Sequence, residues 1–545
     1  MATKSTTFSK LFTKTLQVQN RVVSTSATNH QAIALTDVAP LTCPLETMLG
    51  SMDQLRTPFT FPEKPKTHIS TPSVKSFDSI PGPKGLPIIG TLFDYMKKDG
   101  LRFNKLFEAF RQRSLQYGPV YKEQIANMTT VVISDPSEYN KIIRAEGRYP
   151  KRRELDPWFM YREKKKMGQG LVNSQGPEWH KYRSAASKKM LKMKEVMDYC
   201  TNMDKVADDF LVHISNMRNQ QGEVVGIERE CFKWAMESMG TFLFESRLGC
   251  FGPNPPIEAQ DFIQNLQGLF HLMQELMYSL PIYKIVPTKM WKQFETYCDN
   301  VFQIGRSYVN KKAAQIQENP TKEGEKMSFI EYMMNQESLT QSEALSTCAD
   351  LLVGATETTS NGSLWALYCL AKNPKIQEKL YQETKRVLSK NEPITPEKLS
   401  ELQYVKAVIK ETFRLYPLTF TTSRYVEEDL EVGGYTLPAG THVQANLYGM
   451  FRDNQFFPEP EVFKPERWLK EYQMDKELKA LSNLVWGHGA RMCIGRRFAE
   501  QEMYILLTKI VQNYQVEYNH GTVEPVLNTV MNPDRPLLFS FIPRD

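Results

Sequence analysis

The sequence contains no run of about 20 apolar residues, so no helix able to cross a bilayer is expected. It is poor in cysteine: 8 in 545 residues, with no CxxC pair and no zinc spacing. That disfavours a disulfide scaffold or a zinc site, and points to reduced thiols in a non-secretory compartment. No Gly/Ser linker divides the chain after residue 90, and no segment repeats. Acidic residues are missing before Asp37. The first 36 residues instead hold Lys4, Lys10, Lys14 and Arg21 among many Ser and Thr, with Phe8, Leu11, Phe12 and Leu16 on one helical side. This is the pattern of a mitochondrial transit peptide, and residues 37–77 read as the linker behind it. Those four cations supply most of the formal net charge of +6. The near-neutral balance left over says little about partners, and no nucleic-acid partner is expected.

What is present is a large apolar reserve, 41% of residues, and one unusual cysteine. A lone cysteine is ordinarily a small buried hydrophobe. Cys43, Cys200, Cys231, Cys250, Cys298, Cys348 and Cys369 are read that way. Cys493 differs. It sits where the loop Trp486-Gly487-His488-Gly489-Ala490-Arg491-Met492 meets a helix-like stretch, with Gly495 two residues on. Helix-start N–H groups and a nearby cation favour the thiolate, the form that binds metal. Gly489 and Gly495 let a flat ligand approach the backbone, and either can take φ > 0. Arg491 offers a guanidinium to a carboxylate.

This run resembles the haem-binding signature of the cytochrome P450 family, an aromatic followed by x-x-Gly-x-Arg-x-Cys-x-Gly. It matches at Gly489, Arg491, Cys493 and Gly495, with Trp486 standing where the family usually has Phe. The resemblance implies a mainly α fold with small β-sheets, the cytochrome P450 fold, over residues 78–545. It implies haem b as cofactor and Cys493 as the axial ligand of the iron. A thiolate ligand favours O–O cleavage over reversible O2 carriage.

Three further motifs follow the family's order. Glu411 and Arg414 are i,i+3 neighbours in a helical stretch opening at Thr395-Pro396 and stopping at Pro417, with Leu402, Val405, Ile409 and Phe413 as its apolar stripe. By themselves they read as a solvated surface pair; the resemblance implies a buried Glu-x-x-Arg closed by Arg467, bracing the haem loop. Gly354-Ala355-Thr356-Glu357-Thr358-Thr359 lies inside the apolar run Leu345–Leu370. Thr358 can bond back to the Gly354 carbonyl and loosen the helix. The resemblance makes Glu357 and Thr358 the groups that relay protons to oxygen. Trp179 and Arg183 share a helix face after Gly176-Pro177. The resemblance implies that both contact the haem propionates, with Arg424 as a further contact.

Small sheets are expected near Pro119–Asp135 and Ser423–Val443, and a surface loop at Gln317–Lys326. The Pro/Gly run Ile80–Pro87 marks entry into the catalytic domain. The segment Leu276–Trp291 reads equally as helix core or as a membrane-dipping surface. No GxGxxG follows a strand and no length remains for a fused flavoprotein, so electrons come from a separate donor. Lys406 and Lys410, with Arg496 and Arg497 after the Cys loop, are similar to the docking residues of the mitochondrial, ferredoxin-dependent class of invertebrate type. The implied donor is an acidic 2Fe–2S ferredoxin with its NADPH reductase. The function implied is a monooxygenase acting on an apolar, steroid-like small molecule, peripheral on the matrix side of the mitochondrial inner membrane, with contacts at Pro157-Trp158, ahead of Gly354 and at Leu418–Thr422. Detoxification of foreign compounds, peroxide rearrangement by a haem-thiolate isomerase and non-catalytic haem binding are the alternatives.

Overall fold

The long helices form where the apolar stripes run. They are α1 Gly176–Met190, α2 Cys200–Met217, α3 Ile227–Phe244, α4 Ile257–Tyr278, α5 Lys289–Glu318, α6 Gln341–Lys372, α7 Pro374–Val387, α8 Gln403–Leu415 and α9 Arg496–Asn513. They come from a computed structural model that describes residues 74–97, 100–322, 324–472 and 481–544. The leader 1–36 and the linker 37–77, apart from 74–77, lie outside these residues.

Helix α6 is the axis. Thr340 caps it with a full capping box: the Thr340 side chain accepts from the Glu343 N–H, and Glu343 reaches back to the Thr340 N–H. It then runs for 32 residues to Asn373-Pro374, where proline ends it. Most of α6 is buried on every side, from Leu351 and Leu352 to Trp365 and Leu370, because α3, α5, α8 and α9 pack around it. A helix enclosed in this way can hold polar side chains only where partners or an open groove receive them.

Among the described residues the strands make four small sheets. β1 Val120–Ile125, β2 Met128–Ile133, β4 Thr421–Tyr425 and β7 His442–Asn446 form one sheet in the order β1-β2-β7-β4. In it β2 pairs parallel with β7, and Arg424 lies opposite Val443. β5 Leu430–Val432 and β6 Tyr435–Leu437 form a separate hairpin across Gly433-Gly434, both at positive φ. A second apolar cluster, including Val131, Val443, Phe451 and Phe457, fills the space beside this sheet. The expected sheets at 119–135 and 423–443 are therefore present. The C-terminal pairings were not expected: β11 Phe539–Pro543 between β3 Glu223–Val224 and β8 Tyr514–Glu517, and the hairpin β9 Pro525–Asn528 with β10 Val530–Pro533.

Three sequence expectations need correction. The stretch Thr395–Pro417 is two helices, Pro396–Glu401 and α8, broken at Leu402. The break persists because Glu383 of α7 accepts from the N–H groups of Gln403, Tyr404 and Val405, capping α8 from another helix. The loop expected at Gln317 starts later, since α5 runs through Glu318. The segment Leu276–Trp291 is helix only at its ends. Its middle turns through Pro281–Lys284 and leaves Leu280, Ile282, Ile285 and Val286 exposed. The Pro/Gly run at 80–87 passes close against β1: the Pro81 carbonyl accepts from Lys122 N at 2.8 Å, and a Cβ on Gly82 would lie 1.9 Å from the Lys122 oxygen.

Candidate functional site

The loop ahead of α9 holds Cys493 at the helix entrance. Its N–H donates to the Trp486 carbonyl at 2.7 Å, closing the loop into a tight turn. Gly487 and Gly489 both adopt positive φ, which permits that turn. Gly495 does not: its φ is −84°, so its glycine answers no left-handed requirement. A side chain at Gly489 would also meet Glu146, with 2.6 Å between its Cβ and Oε2. Trp486 packs edge-on against Phe413 of α8, with ring centroids 5.3 Å apart. Among the described cysteines Cys493 is the exposed one, and the other six are buried. Open space lies beside its sulfur, yet protein surrounds it closely enough that burial raises the thiol pKa. The Gly495 amide, Arg183 and Arg496 pull the other way.

Four guanidiniums gather on one side of this loop. Arg491 donates to the carbonyls of Pro150 and Ser174 and to Gln175 Oε1, and its guanidinium carbon lies over Trp179, 4.0 Å from the ring centroid. Burial, then Arg152, Arg424 and Arg183 beside it, lower its pKa to about 8. Arg152 and Arg183 are each lowered to about 10, chiefly by burial. Arg424 is held by Glu146, and its Nη2 donates to the His488 carbonyl at 2.9 Å, tying β4 to the Cys loop. The expected Arg183, Arg424, Arg491 and Trp179 thus converge. Arg152 was missed, although it stands in the basic run Lys151-Arg152-Arg153. Glu146 was missed too.

Four cations against one carboxylate is a charge excess that a buried site does not hold for its own stability. It fits a ligand with two carboxylates lying beside a thiol, and haem b is such a group. Cys493 would hold its iron, and these guanidiniums would face its propionates; Arg424 and Arg491 each also bond protein through all three nitrogens. When bound, the group supplies dioxygen activation.

On α6, Thr358 Oγ1 donates to the Gly354 carbonyl at 2.8 Å, as its spacing suggested. Gly354 is exposed and Ala355 and Thr358 half-exposed on a helix otherwise buried, so these three open a groove. Glu357 points elsewhere. It is 2% exposed and accepts from Asn361 Nδ2 at 3.1 Å and Asn532 Nδ2 at 3.5 Å. Burial raises its pKa to about 8, against a smaller opposing effect of the two amides. Neither amide was anticipated.

Glu411, Arg414 and Arg467 meet as a closed cluster, all three within 1% of full burial. Arg414 grips both carboxylate oxygens, at 3.0 and 2.9 Å, and Arg467 Nε reaches Oε1 at 3.0 Å. Lys464 N and Trp468 Nε1 complete the set, each at 2.9 Å. On the outer face, Lys406, Lys410, Arg496 and Arg497 line one groove of about 1130 Å³. Lys406 donates to the Ser400 carbonyl at 2.9 Å and has a lowered pKa from burial.

Comparison with known proteins agrees with this geometry. The cytochrome P450 family model matches residues 80–541. Cytochrome P450 10 of Lymnaea stagnalis is 50% identical over 541 residues, covering 98% of this chain and 97% of its own. The sterol 26-hydroxylase, mitochondrial, of Rattus norvegicus is 30% identical over 494 residues (88% and 92%). The 1,25-dihydroxyvitamin D(3) 24-hydroxylase, mitochondrial, of Mus musculus is 29% identical over 472 residues (86% and 90%). With the match running through the thiolate loop, the arginine cradle and the central helix alike, the chain belongs to the cytochrome P450 family, whose members bind haem b and act as monooxygenases.

Proposed function

We propose that this monooxygenase is a mitochondrial enzyme that oxidises a steroid-like apolar molecule with electrons from a 2Fe–2S ferredoxin. The observation carrying the reading is the groove in which Lys406 and Lys410 of α8 meet Arg496 and Arg497 of α9. It lies on the helix that starts at the Cys loop, where an acidic donor would come near the iron. Two relatives, a sterol 26-hydroxylase and a 1,25-dihydroxyvitamin D(3) 24-hydroxylase, both mitochondrial, support the substrate class and the compartment. The leader-like residues 1–36 agree with that compartment.

In this reading Cys493 would hold the haem iron, and Arg152, Arg183 and Arg491, with Trp179 supporting Arg491, would face its carboxylate edge. Arg424 acts through the loop by holding His488. The groove at Gly354, Ala355 and Thr358 admits dioxygen and water, and Glu357 supplies the proton. Glu411, Arg414 and Arg467 hold the Cys loop's underside in register. The exposed Leu280, Ile282, Ile285 and Val286 form an apolar edge suited to a membrane surface. Exposed Leu86, Ile88, Phe93 and Met96 extend it, because stacked Tyr95, Phe103 and Tyr278 join the two segments. Among the described residues no helix is long and apolar enough to cross a membrane.

The test is reconstitution with ferredoxin and its NADPH reductase. Lys406→Glu with Lys410→Glu should raise the KM for ferredoxin about tenfold or more and flatten its salt dependence. A KM and salt slope equal to wild type would place docking elsewhere. Turnover of a lipid hydroperoxide with no reductase present would instead favour the isomerase.

A further inference from the structure

The buried acid of α6 is held from outside its own helix. Asn532 comes from β10, near the C-terminus, 175 residues along the chain from Glu357. Its Nδ2 donates to Asn361 Oδ1 at 3.0 Å and approaches Glu357 Oε1 at 3.5 Å, while Asn361 Nδ2 donates to the same carboxylate oxygen. Two acceptors in this cluster, Glu357 Oε2 and Asn532 Oδ1, are buried with no hydrogen-bond donor. A proton on the carboxyl would turn Oε2 from an unmet acceptor into an O–H donor, whereas an ionised carboxylate would leave both acceptors unmet. The groups acting on Glu357 are Asn361 from α6 and Asn532 from β10, both neutral; among the described residues no charged side chain contributes.

The hairpin carrying Asn532 touches more than the acid. The Met531 N–H donates to the Leu418 carbonyl at 2.9 Å, at the start of the segment expected to meet substrate. The Met531 carbonyl accepts from Trp365 Nε1 of α6 at 3.0 Å. At its tip Thr529, with φ of 66°, donates through Oγ1 to the Phe270 carbonyl of α4 and through its N–H to Gln274. One short hairpin is therefore bonded to α4, to Leu418 and to α6 at once.

We propose that Asn532 is a positioning residue of the proton relay, orienting the Glu357 carboxyl and linking it to the β9–β10 hairpin. The proposal rests on the reading of Glu357 as proton donor. A shift of the hairpin, such as a bulky molecule against Leu418 would cause, moves the amide and with it the carboxyl. The chemistry asked of Asn532 is orientation alone; the proton belongs to Glu357 and is replaced from water.

The test uses the full-length haem-loaded protein and two readouts. Infrared difference spectroscopy, with Glu357→Gln to assign the band, follows the carbonyl stretch of the neutral Glu357 carboxyl against pH. Peroxide formed per NADPH, with ferredoxin and its reductase, follows coupling over the same range. Asn532→Val removes a donor that lowers the acid's pKa, so the infrared midpoint should rise by about half a unit to one unit, with the coupling profile moving alongside it. If Glu357→Gln changes coupling while Asn532→Val moves neither midpoint nor profile, the proposal is overturned and the relay reading stands. If Glu357→Gln leaves coupling unchanged, the relay reading falls, and an unmoved infrared midpoint then removes the role of Asn532 as well. Should Asn532→Val lose the thiolate CO-difference band, Asn532→Ser, smaller and still polar, carries the same comparison.

Discussion

Glu411 and Glu357 are both buried carboxylates on helices that flank the haem site, and their surroundings are opposite. Glu411 takes five donors, three from guanidiniums, so its charge is compensated within hydrogen-bond distance. Glu357 has two neutral amides and a bare second oxygen, and its pKa climbs to about 8. Burial is nearly equal; counter-charge is not. The first arrangement suits a clamp that holds structure, the second an acid that can release its proton near neutral pH.

The largest break of this contrast is Glu411→Ala. It leaves two buried guanidiniums unpaired, a loss on the order of 3–5 kcal/mol. The expected outcome is little or no recoverable protein with the thiolate CO-difference band, measured on matched expressions. Recovery near the wild-type level would mean that water replaces the carboxylate.

Next is the pH dependence of stability. Glu357 has a folded pKa above its usual value of 4.5, so the folded state holds the proton more tightly than the unfolded chain. Its contribution is fully present below pH about 4.5 and is lost progressively as pH rises through about 8. Glu357→Gln, which cannot ionise, should flatten the part of the denaturant-midpoint profile that falls across this window. The difference should be on the order of a few kcal/mol at its upper end. Parallel slopes for the two proteins would show that the acid ionises freely in the fold. Coupling should drop in the same variant, by about tenfold or more, if the acid feeds protons to oxygen.

The smallest effect sharpens the contrast on α6 itself. Thr358→Ala removes the 2.8 Å bond to the Gly354 carbonyl without touching Glu357. Stability should stay within about 1 kcal/mol of wild type, while peroxide or water formed per NADPH rises a few-fold. Unchanged coupling would take Thr358 out of the relay.

How much of this was legible depended on how local each signal was. The thiolate loop, the Thr358 back-bond and the pairing of Glu411 with Arg414 involve residues within a few positions of one another, and they stand as expected. The break at Leu402 was not readable, because the group that sustains it, Glu383, sits on a different helix. Arg491 was expected to face a carboxylate, yet most of its bonds go to carbonyls at Pro150 and Ser174, more than 300 residues earlier. Glu146 and Asn532 carry no local pattern, and the basic run around Arg152 does not say where it faces; each matters through what folding brings beside it.

The amino-acid sequence by itself determined the family, since a cysteine with its glycines, arginine and following helix is a contiguous unit that can be read without the fold. It also determined the central helix and the back-bond of Thr358 to Gly354 within it. Only the tertiary structure decided which carboxylate is gripped by guanidiniums and which is left to neutral amides, and which partners Arg424 and Arg491 take. Those choices turn on desolvation and counter-charge, which depend on neighbours that other elements of the fold supply.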